Sequence, residues 1–201
     1  MQFSVSDAAE RNKGPILQVL SEEFARCRTV LEVGSGTGQH AVYFAANLAD
    51  VSWQPSDTGD YLPNLRARLQ HEHQPNLREV IELDVRARPW PVTSVDAVFS
   101  ANTLHIMSWS SVQEFFRGVG TVLANPGALC VYGPFRYRGR YTSESNAAFD
   151  EYLRRRDEDS GIRDFEAVDA LAREQALDLV ADHSMPANNQ ILVWRTRRLT
   201  L

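Results

Sequence analysis

Residues 29–40 constrain this chain more than any other stretch, because they join an apolar run to a helical pattern through closely spaced glycines. The run Thr29–Val33 is rich in β-branched residues, and Gly34-Ser35-Gly36-Thr37-Gly38 follows it directly. A helical spacing of apolar residues then begins at Ala41. A strand, a glycine turn and a helix in this order are typical of the first nucleotide-binding unit of an open α/β sheet. Glycine suits such a turn because a ligand can approach the bare backbone and the amides of the next helix.

Three ligand-binding motifs share parts of this glycine turn. The dinucleotide motif G-x-G-x-x-G would place its last glycine where this chain has Gln39, and the P-loop needs a lysine that the turn lacks. The pattern E-x-G-x-G-x-G, which begins at Glu32, resembles motif I of class I S-adenosylmethionine-dependent methyltransferases. A turn without a ligand stays open, although alternate glycines cost chain entropy unless they are needed.

Composition narrows the function classes. The chain has 201 residues, 43% of them hydrophobic and 23% charged, which predicts a single globular domain over residues 1–201. The formal net charge of −5 and the pI near 5.5 argue against nucleic-acid binding by bulk charge. We expect a cytoplasmic protein without membrane association, because no signal peptide and no run of ~18 apolar residues is visible.

Cysteine and histidine spacing gives no sign of a disulfide or a metal site. Cys27 and Cys130 lie far apart in apolar runs, as expected of reduced core thiols. His71 and His73 do not share a helix face, so no metal site is predicted. The sequence does not predict an oligomeric state.

Helical and strand patterns alternate along the rest of the chain. Helices are predicted over residues 7–24, 63–73, 110–123, 146–156 and 165–175, and further strands over 51–55, 79–83, 95–101, 128–132, 177–183 and 190–196. The segment Glu10–Pro15 fits either a solvated loop, with Pro15 starting the regular helix, or a binding segment. Asn125-Pro126-Gly127 is predicted to stop the helix before it. Residues 136–165 form an insertion predicted to cover part of the substrate.

These patterns predict an α/β fold of the Rossmann-like class I methyltransferase type. We expect a seven-stranded, mostly parallel sheet with a C-terminal antiparallel hairpin and helices on both faces. The helix before the first strand and the closing hairpin are usual in that fold, whereas dinucleotide-binding folds continue with parallel strands.

Polar residues at strand ends predict a cofactor site. Asp57 ends the second strand about twenty residues after the glycine turn, where a carboxylate can accept hydrogen bonds from a ribose diol. Asp84 follows the third strand, where an acid commonly holds the adenine amine in this fold class. Each of these acids would also suit a simple turn. The predicted cofactor is S-adenosyl-L-methionine, with Glu32, Gly34, Ser35, Gly36, Gly38, Asp57, Asp84 and Asn102 as its binding residues.

The acceptor of the methyl group is predicted to be a small polar molecule. His105 follows the fourth strand and is the candidate general base, with a packing role as the alternative. Arginines, amides and aromatic residues in the predicted turns could bind a carboxylate or phosphate. The candidate substrate residues are Arg11, Asn12, Tyr132, Phe135, Asn146, Arg163, Asn188 and Asn189.

Several segments together resemble a narrower family, the bacterial proteins grouped as domain of unknown function 938, which is related to animal methyltransferase-like protein 26. The matching segments are 9–15 (AERNKGP), 36–40 (GTGQH), 53–57 (WQPSD), 132–135 (YGPF), 161–164 (GIRD) and 185–189 (MPANN). The resemblance implies a class I methyltransferase-like fold and S-adenosylmethionine binding, and it implies no particular substrate.

Two other functions stay open. A protein that binds S-adenosylmethionine or S-adenosylhomocysteine without catalysis would have the same cofactor turn. A nicotinamide-dependent oxidoreductase would also use Asp57, but Gln39 and the closing hairpin speak against it.

Overall fold

The computed structural model describes residues 5–197. In chain order its elements are α1 (Asp7–Glu23), β1 (Thr29–Val33), α2 (Gln39–Asn47), β2 (Ser52–Asp57), α3 (Leu62–His71), β3 (Ile81–Glu82), β4 (Val95–Ala101), α4 (Trp109–Val122), β5 (Leu123–Gly133), β6 (Phe135–Tyr137), β7 (Arg140–Tyr141), α5 (Glu144–Arg156), β8 (Arg163–Asp164), α6 (Phe165–Glu174), β9 (Leu177–Met185) and β10 (Asn189–Thr196).

Seven strands form one sheet in the order β3-β2-β1-β4-β5-β10-β9. The first five are parallel to one another, whereas β10 runs antiparallel to both β5 and β9. The predicted fold class, with its closing hairpin, is therefore confirmed. Strand order reverses between β1 and β4, and open α/β sheets bind ligands outside the carboxyl ends of strands at such a point.

The sheet is covered on both faces because consecutive residues of its central strands, which point to opposite faces, are apolar. Leu31 and Val98 pack on the face that carries α4 and α6. Val30 and Phe99 point to the opposite face, which carries α1 and α2. The buried strands β1 and β4 have the bounds that their apolar runs predict.

The interpretation of Glu10–Pro15 as a loop is wrong, and the interpretation as a binding segment stays a prediction. This segment lies inside α1, which begins at Asp7, and the Ser6 side chain caps the helix by accepting a hydrogen bond from the Ala9 amide. The capping residue, Ser6, comes before the apolar residues from which the helix was predicted. Those residues alone therefore did not show where the regular helix begins.

The predicted end of the helix before Asn125-Pro126-Gly127 is confirmed, because α4 ends at Val122, although the next strand begins earlier than the predicted residue 128. These residues lie within β5, which begins directly after α4. Pairing with β4 is made at Leu123 and resumes only at Ala128, so the intervening residues form an irregularity in the ladder. The turn-forming residues therefore mark a break in the register between β4 and β5 rather than a turn outside the strand.

The insertion contains a second, three-stranded sheet that the sequence does not predict. Its order is β7-β6-β8, and each of its pairs joins only two residues of each strand. Strands this short lack the period of alternating residues that makes a strand visible in sequence. Among residues 5–197, no helix has the length and apolar character needed to cross a bilayer.

The packing of α4 against Trp90 depends on Gly118. A Cβ at this position would lie 2.0 Å from Cζ2 of the buried Trp90, so the helix and the indole touch through the glycine. We expect Gly118→Ala to lower the free energy of unfolding by about 1–3 kcal/mol, because the ring or the helix must move. Urea denaturation measures this change.

Gly120→Ala in the same helix is the matched control. Its new Cβ would meet the Gln175 side chain, which can rotate aside, so a much smaller change is expected. Equal destabilisation by the two substitutions would contradict this packing.

Candidate functional site

The glycine turn lies at the carboxyl end of β1, where all three glycines adopt positive φ angles. A Cβ on Gly34 would come within 2.7 Å of the Thr103 hydroxyl, so this glycine is needed for packing. Gly36 has φ +54°, and a Cβ there would meet no atom within 4 Å. The turn is therefore closed toward the protein at Gly34 and open at Gly36, as a cradle for a ligand would be.

Glu32 supports the turn from below. Glu32 is 1% exposed, and its carboxylate accepts hydrogen bonds from Nε1 of Trp53 and from the hydroxyl of Ser35, each at a distance of 3.0 Å. Burial raises the pKa of Glu32 to about 7, and these two hydrogen bonds oppose that rise. Contact between Glu32 and a cofactor stays a prediction, since the structure places its carboxylate under the turn, joined to it through Ser35.

Asp57 joins the end of β2 to the glycine turn. Its Oδ2 accepts a hydrogen bond from the Gly36 amide over 2.6 Å, and its Oδ1 accepts one from the Thr58 amide over 2.8 Å. Burial raises the pKa of this carboxyl, and the hydrogen bonds from the two amides act against it. A carboxylate has about four acceptor positions, so two remain for a ligand.

A cavity of about 200 Å³ opens between the glycine turn, Asp57 and Asp84. Asp84 is paired with Arg86, whose Nη2 lies 2.7 Å from Oδ2 and whose Nε lies 3.0 Å from Oδ1. This ion pair lowers the pKa of Asp84, which keeps the carboxylate charged at neutral pH. The cavity lining is Val33, Gly34, Asp57, Thr58, Tyr61, Leu83, Asp84, Val85, Arg86, Thr103, Ile106, Met107 and Ser111.

The first half of α1 lies against the start of α2, which directly follows the glycine turn. Gln39, the first residue of α2, accepts a hydrogen bond from the Ser6 amide over 2.6 Å and donates one to the Glu10 carboxylate over 2.6 Å. The next residue, His40, is bonded to Oδ1 of Asn12 over 2.7 Å. Burial lowers the pKa of His40 to about 4, so its ring is neutral and its Nε2–H donates to Asn12.

Three of the candidate substrate residues meet at the end of β5. Burial raises the pKa of the Tyr132 hydroxyl, and hydrogen bonds from Asn12 and Asn189 oppose the rise. The backbone amide of Asn102 donates to the Tyr132 carbonyl over 2.9 Å. Asn102 has φ +57°, a strained conformation at the strand end where the sheet order reverses.

His105 lies at the same edge in an apolar enclosure. Its ring meets the Phe149 ring edge-on, with centroids 5.4 Å apart, and a Cβ on Gly133 would lie 3.7 Å from its Nδ1. Burial lowers the pKa of His105 to about 4, and the charge of Arg163 adds to this. The imidazole is therefore neutral at neutral pH and can accept a proton or a hydrogen bond.

The other candidate substrate residues lie elsewhere. Asn146 donates to the Asn188 carbonyl over 2.9 Å, which joins the start of α5 to the connection between β9 and β10. Phe135 is buried in the hydrophobic core, and the guanidinium of Arg163 is bonded to backbone carbonyls. Arg11 is exposed and forms no hydrogen bond or ion pair with any residue in the described range 5–197.

Sequence reasoning missed several residues that shape the cavity. Thr103 packs under Gly34, and Tyr61 and Ile106 line the cavity while about half of each side chain is exposed. The position of Ile106, next to His105 after a central strand, is a signal that could have found it. Thr103 has no such signal, because its role depends on the close approach of two strand ends.

Glu32 gives the site a testable pH dependence. Its pKa of about 7 in the folded protein lies above the ordinary 4.5, so the folded state holds the proton more tightly. The stability contributed by the neutral carboxyl is present below about pH 4.5 and is lost as the pH rises through 7. Relative to wild type, Glu32→Gln should therefore gain up to roughly 3 kcal/mol of unfolding free energy between pH 5 and pH 8.

Urea denaturation at the two pH values measures this difference. Glu22→Gln is the control, because Glu22 is exposed on α1 and should show no such gain. A Glu32→Gln variant whose stability follows that of wild type at both values would contradict a buried, proton-holding carboxyl.

Structural comparison relates this fold to known methyltransferases. An O-methyltransferase family protein from Burkholderia thailandensis is similar with a TM-score of 0.83 and 18% identity over 96% of this chain and 59% of that one. The mitomycin 7-O-methyltransferase MmcR is similar with a TM-score of 0.81 and 14% identity, over 94% of this chain and 54% of that one. Human N-acetylserotonin methyltransferase, solved with S-adenosylmethionine, is similar with a TM-score of 0.71 and 14% identity, over 95% of this chain and 58% of that one.

These likenesses establish the fold, and this chain spans little more than half the length of the proteins it matches. The sequence itself matches a protein family over residues 3–196, and that family is described as Protein of unknown function (DUF938). The relation to methyltransferase-like protein 26 stays a prediction. The match covers nearly the whole chain, which therefore belongs to the DUF938 family, with a class I methyltransferase-like fold.

Proposed function

We propose that this protein is an S-adenosylmethionine-dependent methyltransferase that acts on a small polar acceptor. The observation that carries the proposal is the cavity between Gly34, Asp57 and Asp84 at the carboxyl edge, where the sheet order reverses. The structural neighbours support it, because several are methyltransferases and the human enzyme among them was solved with S-adenosylmethionine. A further neighbour, PigF, was solved with S-adenosylhomocysteine.

The residues of the cavity fit the cofactor. Asp57 keeps free acceptor positions for the ribose hydroxyls, and the charged Asp84 can accept from the adenine amine. The open side of Gly36 would admit the cofactor to the backbone of the turn, where a side chain would lie in its way. Glu32, Gly34, Ser35, Gly38 and Asn102 are the remaining proposed cofactor residues, the first three of them through the shape of the turn. When bound, the cofactor supplies an electrophilic methyl group on a sulfonium.

The protein has to hold an acceptor in line with that methyl group and exclude water, which can supply ~7–11 kcal/mol of the barrier. Asn12, Tyr132 and Asn189 form a hydrogen-bonded group at the end of β5, beside Asn102. We assign this group to the polar part of the acceptor, with the exposed Arg11 on the same helix as Asn12. Asn146 and Asn188 would act by holding the insertion, residues 136–165, as a cover over this edge.

His105 is the proposed general base. A base assists transfer to a hydroxyl or a protonated amine, because the amine must lose a proton before its nitrogen can attack and the hydroxyl loses one as its oxygen bonds to the methyl carbon. The carbon–sulfur bond would break in the same step, with S-adenosylhomocysteine as the leaving group. The neutral His105 ring can accept that proton, and the missing side chain of Gly133 leaves room beside Nδ1. The apolar contact with Phe149 keeps the ring away from bulk water.

Binding of the cofactor by the Asp57 site is the first test. Calorimetric titration of wild type should give micromolar binding of S-adenosylmethionine and S-adenosylhomocysteine, and none of NADH. Asp57→Ala should weaken both roughly 10- to 100-fold, because it removes charged acceptors from the ligand and from the Gly36 amide. Asp60→Ala, an exposed acid in the same turn, is the matched control and should bind as wild type does.

Binding of NADH alone would contradict the proposal and favour an oxidoreductase. Tight binding of S-adenosylmethionine without turnover of a broad panel of small hydroxyl, amine and carboxylate acceptors would favour a binding protein without catalysis. Equal loss of affinity in Asp57→Ala and Asp60→Ala would place the site elsewhere.

A further inference from the structure

The loop after β4 is bound along its whole length by one segment of the insertion. Residues 104–107 present four consecutive carbonyl oxygens, and each accepts a hydrogen bond from residues 160–163. Arg163 Nε donates to the Leu104 carbonyl over 3.0 Å, and its Nη2 donates to the Met107 carbonyl. The Gly161 amide donates to the His105 carbonyl over 2.8 Å, and the Ser160 hydroxyl donates to the Ile106 carbonyl over 3.1 Å.

These bonds replace the partners that a helix or strand would give to the loop. On the amide side, Ile106 and Met107 both donate to the Thr103 carbonyl, so the loop folds tightly after the strand. Its own carbonyls then point away from that turn and need donors from elsewhere. The insertion provides all four, and the conformation of the loop therefore depends on it.

The donor segment is itself held rigidly by a buried carboxylate. Asp150 on α5 is 3% exposed, and its Oδ1 accepts a hydrogen bond from the Ile162 amide over 2.5 Å. Its Oδ2 accepts from Arg154 Nε over 2.9 Å and from the Tyr141 hydroxyl over 2.7 Å. A Cβ on Gly161 would lie 2.9 Å from Oδ1 of Asp150, so only glycine lets the chain pass this close.

Arg163 is suited to this role by the shape of its side chain. A guanidinium is a planar fork with separate donors, so Nε and Nη2 can each bond a different carbonyl, and Nη2 also bonds the Asp159 carbonyl over 2.9 Å. Two of its three nitrogens are thus committed to the backbone. This geometry disfavours the sequence-based assignment of Arg163 to substrate binding.

We infer that Arg163 is a positioning residue, which clamps residues 104–107 to the insertion and so fixes the His105 ring at the carboxyl edge. The importance of this clamp for catalysis rests on the proposed function, in which His105 is the base. The existence of the clamp does not rest on the proposed function, because the clamp is a property of the unliganded chain.

Amide hydrogen exchange of the unliganded protein tests the clamp. Arg163→Ala should raise the exchange rate of residues 104–108 about 10-fold or more, because two carbonyls lose charged donors. Arg163→Lys should give a smaller rise, since one ammonium cannot replace a fork. Ser160→Ala should act in the same direction through Ile106 alone, and it keeps the test valid if Arg163→Ala does not fold.

Arg155→Ala is the matched control. Arg155 lies on the same insertion but is exposed, and its ion-pair partner is Glu151 one helical turn away. The exchange of residues 104–108 should stay unchanged in this variant. Similar rates in wild type, Arg163→Ala and Ser160→Ala would overturn the inference.

The protonation of His105 gives a readout that mere loss of stability would not move. Nitrogen-15 NMR at pH 6 should show a neutral His105 ring in wild type, in line with its pKa of about 4. Arg163 is the charged group that acts on this ring, and the packed elements β5 and α5 contribute Gly133 and Phe149, which do not titrate. Arg163→Lys retains that charge, so a protonated fraction in this variant reports movement of the ring into solvent.

His40 is the internal control for this measurement. It is also buried with a pKa of about 4, but it lies on α2 against Asn12, and it should stay neutral in every variant. A His105 ring that stays neutral in Arg163→Lys and Ser160→Ala, or protonation of both rings together, would contradict local positioning. Because both experiments omit the cofactor, a protein that fails to bind S-adenosylmethionine would refute the proposed function without deciding this inference.

Discussion

Hydrogen bonds between the glycine turn and the end of β2 fix the backbone that borders the cavity at the carboxyl edge. The amides of Gly34 and Ser35 both donate to the Ser56 carbonyl, and the next amide, that of Gly36, donates to Asp57. The turn is thereby fixed to the neighbouring strand before any ligand arrives. This preorganisation means that a ligand does not have to order the turn on binding.

Two ionisable groups, Glu32 and His105, are buried near the carboxyl edge of the sheet. The Glu32 carboxyl lies under the turn, where burial raises its pKa, and the His105 ring lies beyond β4, where burial lowers its pKa. In both cases the same cause, removal from water, favours the neutral form. The site thus combines buried groups in which burial favours the neutral form with Asp84, whose carboxylate the adjacent Arg86 keeps charged.

Sequence reasoning could predict the parts of the fold that are determined locally. The strands β1 and β4 are continuous apolar runs buried on both faces, and the glycine turn follows from its spacing, so their positions agree with prediction. The role of Arg163 could not be predicted, because its partners are backbone carbonyls far away along the chain. The short strands of the insertion could not be predicted either, because they are defined by pairing with distant residues and not by a local pattern.

A titration of the nitrogen-15-labelled protein with S-adenosylhomocysteine, monitored through the amide chemical shifts, would show whether the cavity at the carboxyl edge binds the cofactor. If the cofactor binds in this cavity, the largest shifts are expected at the surrounding residues, 34–39, 57–61, 83–86 and 102–107. Shifts concentrated in the groove between α3 and β3, at residues 66–80, would contradict it, as would no shift at millimolar ligand.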